Sequence, residues 1–87
     1  MSQHEKRMLH LLSGKQDQNF SFEELRSILS DMGFYCRVKG DHHIYTHPQV
    51  EEIINIQPKG KNAKPYQVKQ VREIVLEYHL GGSHDKI

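Results

Sequence analysis

The sequence predicts an α+β fold: a three-stranded antiparallel β-sheet with helices packed on one face, plus an extra helix at the N-terminus. Three observations carry this. Apolar residues recur at three- and four-residue spacing as far as Met32. From Phe34 the period changes to two, and beyond Pro65 the helical spacing returns. The links between the alternating runs are too short for parallel crossovers, so the strands form an antiparallel meander.

Residues 3–13 read as a short helix. Met8, Leu9, Leu11 and Leu12 make a broad apolar side, and Gly14 supplies a left-handed stop. Residues 15–19 are a polar connector. Ser21, with Glu24 three residues on, is a capping box, and Phe20 is placed for a hydrophobic staple. The helix it opens puts Phe22, Leu25, Ile28, Leu29 and Met32 on one stripe and ends at Gly33. Phe34, Cys36 and Val38 then alternate with Tyr35, Arg37 and Lys39, which makes a first strand with Cys36 on the buried parity. Gly40-Asp41 suits a type II′ hairpin turn. A second strand covers residues 42–46 and stops at His47-Pro48. A loop over residues 49–52 leads to a β-branched third strand at 53–56, ended by Pro58 and Gly60. Residues 59–64 read as a basic, flexible loop. Pro65 fits the first position of a last helix with Val68, Val71, Ile74, Val75 and Tyr78 on its apolar face. Gly81-Gly82 ends it.

The 87 residues hold one domain at most, and the 36% hydrophobic fraction suffices for one small core. The expected organisation is a single domain over 1–87, with a helical extension over 1–19, a core over 20–80 and a flexible tail over 81–87. No apolar run approaches the length of a membrane span. The first seven residues lack the apolar stretch of a secretion signal. The single cysteine excludes an internal disulfide framework and a multi-cysteine zinc site. A cytoplasmic protein is the expectation.

Charge is unevenly spread. Residues 1–36 carry a net −1, residues 37–72 a net +4 and residues 73–87 a net −2. Lys59, Lys61, Lys64, Lys69 and Arg72 lie in residues 57–72 with no acid among them. Such a block either is a solvated lysine-rich segment or attracts a polyanion such as nucleic acid.

Seven histidines are present, three of them at His42, His43 and His47. Strand alternation turns His42 and His43 to opposite faces. His43 and His47 share a parity but stand about 13 Å apart along a strand. No cysteine or carboxylate pair completes a metal site. Histidine takes and gives a proton near neutral pH. Beside a lysine-rich segment it suits RNA cleavage, drawing the proton from a ribose 2′-OH while the cations hold the phosphate.

The run from Lys39-Gly40-Asp41-His42-His43 through Tyr45 to His47-Pro48 resembles the signature hairpin of HicA-type toxins, the small ribonuclease partners of HicA–HicB toxin–antitoxin systems. The Met32-Gly33-Phe34 helix end, the third strand and Lys64-Pro65 fit the same pattern, over about residues 21–80. The resemblance implies a fold similar to double-stranded RNA-binding domains, with the N-terminal helix as an extension. It implies that His42 is the catalytic histidine, Gly40 the turn glycine, and Tyr45 an aromatic packed in the core. Asp41 stands where the family pattern has Ser. Its carboxylate either favours a charged His42 ring or holds that ring by a hydrogen bond, and it repels phosphate locally. Gly82-Ser83-His84 repeats the literal Gly-Ser-His of the family, but no alternating strand follows it.

The reading is therefore a metal-independent RNA endonuclease, an mRNA interferase toxin of a type II toxin–antitoxin system. His42 is its acid–base residue, and Lys39, Lys59, Lys61, Lys64 and Lys69 contact RNA. No cofactor is called for. The partners are mRNA and a cognate HicB-like antitoxin, with no membrane. His43 is a strand residue or a supporting proton donor, His47 belongs to a turn, and Tyr66 either stacks on a base or packs on the sheet. The alternative is a non-catalytic module of the double-stranded-RNA-binding type, and a third reading is an interaction domain for a partner protein.

Overall fold

The structure, a computed structural model, describes residues 2–80. The expected tail, with Gly81-Gly82 and Gly82-Ser83-His84, lies outside the described residues. Helix α1 (Gln3–Ser13) starts at a full capping box. The Glu5 N–H donates to the Ser2 hydroxyl at 3.1 Å, and the Ser2 N–H donates to the Glu5 carboxylate at 3.0 Å. Gly14 ends the helix in the left-handed region, at φ 69°. A 3₁₀ turn, η1 (Asp17–Asn19), leads to α2 (Phe22–Asp31). The expected capping box at Ser21 is half made. The Glu24 N–H donates to the Ser21 hydroxyl at 3.2 Å, but the Glu24 carboxylate bonds His10 Nδ1 on α1 at 2.7 Å. A tertiary partner has taken the side chain that the local motif would use.

Strands β1 (Tyr35–Lys39), β2 (His42–His47) and β3 (Val50–Ile56) pair antiparallel in the order β1-β2-β3. Gly40 adopts φ 64°, the sign that the first central residue of a primed hairpin turn needs. The expected loop at 49–52 is largely strand, because Pro48-Gln49 alone makes the turn and His47 pairs with Val50. Tyr45 pairs with Ile54, so residues 51–53 bulge opposite Thr46. The bulge adds two residues and so keeps the parity: Val50, Ile54 and Ile56 are buried and Ile53 is exposed, and Glu52 alone, on the buried parity, is lifted out to solvent.

The expected flexible loop at 59–64 is instead a hairpin, β4 (Pro58–Lys59) with β5 (Asn62–Ala63). It is stitched to the entrance of α2. The Ala63 N–H donates to the Phe20 carbonyl at 2.8 Å, and the Phe22 N–H donates to the Lys61 carbonyl at 3.0 Å. Lysine-rich composition hides this order because the backbone makes the bonds. Helix α3 (Pro65–Tyr78) has Pro at its start and stops at His79, which takes the left-handed φ of 57°, short of the expected glycines.

One core joins the helices to one face of the sheet. Leu25, Ile28 and Leu29 of α2 and Val68, Val71 and Val75 of α3 are buried with Tyr45, Val50, Ile54 and Ile56 of the strands. Met8 and Leu11 join α1 to that core, and α1 packs against α2 and α3. Arg72 locks the helical layer: its guanidinium donates twice to the Asp17 carboxylate, each at 2.9 Å, and to the Leu11 carbonyl at 3.3 Å. The bonds to Asp17 raise the Arg72 pKa above its ordinary value, so the charge is committed to the fold. Cys36 corrects an expectation. It is exposed, although its parity faces α2. β1 is the edge strand, and beside it α2 presents the polar Glu23, Arg26, Ser27 and Ser30, which flank an open groove instead of sealing it. The fold is thus α+β and resembles double-stranded RNA-binding domains, with an added N-terminal helix. Among the described residues no helix is long and apolar enough to cross a membrane.

Candidate active site

The Gly40-Asp41 turn sets His42 at the start of β2, opposite Lys39 of β1. The covered face takes His43, Tyr45, Ile54 and Ile56, so His42 emerges on the open face together with Asn55 of β3. Its ring is fixed from two sides. Nδ1 lies 3.1 Å from Asn55 Oδ1, and Nε2 lies 3.3 Å from Gln57 Nε2. An amide oxygen only accepts, so the hydrogen sits on Nδ1 and is donated to Asn55. Nε2 keeps its lone pair and accepts from the Gln57 amide. The side chain remains 44% exposed, open to solvent. The Gln57 oxygen accepts from Lys64 Nζ at 3.2 Å, which brings a cation to the same cluster.

Asp41 does not hold the ring. Its nearest oxygen is 3.8 Å from His42 Nε2, beyond hydrogen-bond distance, and both its oxygens lie 3.5 Å from the Gln57 amide nitrogen. Of the two roles open to this carboxylate, holding the ring thus falls to Asn55 and Gln57 instead.

The strand end that carries these amides is itself anchored. Gln67 of α3 is buried; its carbonyl accepts from the Gln57 N–H and its NH₂ donates to the Asn55 carbonyl, each at 3.2 Å. Asn55, Gln57 and Gln67 escaped the sequence reading. A polar residue inside the apolar run Ile53-Ile54-Asn55-Ile56 was the available signal for Asn55. Nothing local marks Gln67, whose partners are 10 and 12 residues away.

The candidate cations divide. Lys39 and Lys64 adjoin His42 through strand pairing and through Gln57. Lys59 and Lys61 are exposed on the β4–β5 hairpin, which begins next to Gln57, while Lys69 is exposed on α3. No hydrogen bond joins these three to the cluster among the described residues. Arg72, grouped with them in the sequence, is consumed by Asp17.

The other histidines have structural surroundings. The His43 ring packs edge-on against Phe22, with centroids 5.0 Å apart, and its buried Nδ1 has no partner among the described residues. His47 accepts the Gln49 N–H at Nδ1 and bonds the Met32 carbonyl through Nε2, tying the second turn to the end of α2. Tyr45 is 2% exposed. Burial raises its phenol pKa above the ordinary value, and its hydroxyl accepts from Arg26 at 3.2 Å. Among the described residues no three His, Cys, Asp or Glu side chains gather as a metal site.

A family model described as the HicA toxin of bacterial toxin–antitoxin matches residues 22–77, a span that holds the whole His42 cluster. No curated protein and no solved structure matches the chain.

Proposed function

The chain belongs to the HicA toxin family of bacterial toxin–antitoxin systems, and from that premise we propose that it is a metal-independent endoribonuclease acting on mRNA, with His42 as its acid–base catalyst. The observation that carries this reading is the held ring of His42: Nδ1–H donated to Asn55, and an unprotonated Nε2 on the open face that accepts from the Gln57 amide, whose oxygen holds Lys64. Nε2 is the base. It takes the proton of a ribose 2′-OH as the oxygen attacks the adjacent phosphorus and the bond to the 5′-oxygen breaks. Gln57 yields Nε2 to the substrate, and Lys64 faces the charge that builds on the phosphate oxygens. The leaving oxygen takes its proton from water, since His43 sits on the other side of the strand. Asn55, hydrogen-bonded at the far nitrogen, steadies the imidazolium that forms.

Lys39, Lys59, Lys61 and Lys69 hold the RNA backbone in this reading. The family works in toxin–antitoxin pairs, so an antitoxin is the partner. We place its contact over the His42 hairpin and the lysines, with carboxylates opposed to the cations. The deciding experiment is cleavage of RNA by purified protein in EDTA, wild type against His42→Ala. Binding without cleavage in the wild type would make the chain a non-catalytic RNA-binding module.

A further inference from the structure

We propose that the open face of the sheet is a platform for single-stranded RNA, on which Tyr35 stacks a base of the strand that His42 cuts. The proposal rests on the ribonuclease reading above and specifies the substrate of that same site. Cross-strand pairs share a face. Lys39 is paired with His42, Arg37 with Ile44, Tyr35 with Thr46, and Ile44 with Asn55. Alternation therefore puts Tyr35, Arg37 and Lys39 in one row along β1, on the face that presents His42 and Asn55.

That row has the chemistry of a nucleic-acid strand. Tyr35 is 68% exposed, a large aromatic with no place in the core. Ile53, 63% exposed, and Ile44 line a depression of about 350 Å³ with Tyr35, Arg37 and Thr46. An aromatic ring beside an apolar floor accepts the face of a base. Arg37 and Lys39 continue from it towards His42 with no acid between them in β1, which suits the phosphates. From Tyr35 to Lys39 is about 13 Å along the strand, so a base on Tyr35 and a phosphate at His42 belong to neighbouring parts of one short segment. A duplex keeps its bases stacked inside and offers its backbone and groove instead. Of the two forms of RNA, only the unpaired one offers a base face to the exposed ring and apolar floor.

The test is binding of an end-labelled oligouridylate whose 2′-hydroxyls are methylated, so that it cannot be cleaved, followed by fluorescence anisotropy beside a fully paired stem of the same chemistry. Tyr35→Ala is expected to weaken oligouridylate binding about tenfold and to leave binding of the stem unchanged. Tyr35→Trp should keep or improve the affinity. Circular dichroism checks that both variants fold, as the exposure of the side chain leads us to expect. Bromouridine placed in the oligonucleotide should photocrosslink to Tyr35. Wild-type binding with Tyr35→Ala within twofold of it, or a crosslink at Tyr66 instead, would overturn the platform and leave the ribonuclease reading standing. So would a Tyr35→Ala protein that keeps its RNA affinity but escapes the cognate antitoxin, which would assign the face to a protein. A wild type that neither binds nor cleaves RNA would remove both readings.

Discussion

His42 and His43 are consecutive in the chain, and their surroundings differ in nearly every respect. His42 lies on the open face, its two nitrogens met by Asn55 and Gln57, with a lysine one side chain away. His43 lies under the entrance of α2, its ring against Phe22 and one buried nitrogen without a partner among the described residues. Pleating alone separates them. The open face has polar side chains that fix a ring and leave it reachable. The covered face has an aromatic contact and a core that excludes substrate. One residue type thus serves two ends, and the backbone decides which.

The largest effect expected from breaking this contrast is at His42. His42→Ala should lower cleavage by about 10²–10⁴-fold, the usual worth of a general acid or base, while its stability stays within about 0.5 kcal/mol. Cleavage assays in EDTA and urea denaturation read the two sides separately. A cleavage rate unchanged by this variant would remove His42 from the chemistry.

Next comes the support of the open face from the covered one. Gln67→Ala leaves the Gln57 N–H and the Asn55 carbonyl without their partner. A stability loss of about 2 kcal/mol is expected, together with a smaller fall in cleavage as the strand end carrying both amides loosens. Equilibrium unfolding checks the first and single-turnover kinetics the second. Gln67→Glu, which sets a buried carboxylate oxygen against the Asn55 carbonyl, should lose at least as much stability as Gln67→Ala at neutral pH.

His43→Ala reverses the pattern of His42. It should keep cleavage within about tenfold and lose about 1 kcal/mol of stability with the Phe22 contact. Cleavage lost in this variant and kept in His42→Ala would move the active site to the helical side of the sheet.

The smallest single effects belong to the lysines. Lys59→Ala, Lys61→Ala and Lys69→Ala should each weaken RNA binding evenly across sequences and reduce the salt slope by about 1. Lys64→Ala should add a cleavage defect to that loss, because its ammonium also holds Gln57 beside His42. Titrations at several salt concentrations decide this, and an affinity indifferent to salt would deny the lysines any phosphate contact.

Much of this contrast was legible in the chain. The helical stripe of Phe22, Leu25, Ile28 and Leu29 and the alternation from Phe34 predicted the sheet and its covering helices, because periodicity reports which side is buried. The opposite facing of His42 and His43 followed from the same rule. Legibility ended where distant segments meet. Cys36 has the parity of a core residue, yet it is exposed because polar residues of α2 flank the groove beside an edge strand. Arg72 has the composition of a phosphate contact, yet it is spent on Asp17, 55 residues away.

By itself, then, the sequence determined the order of the helices and main strands, the turn at Gly40 and the face on which His42 emerges, because dihedral preference and side-chain period are local properties. Tertiary structure decided the rest. The bulge at 51–53 depends on pairing with β2, and the ordering of the lysine hairpin depends on the backbone of Phe20 and Phe22. The hold on His42 depends on two amides 13 and 15 residues further along the chain. Those contacts are set by packing between segments, and no short-range pattern encodes where two distant segments will touch.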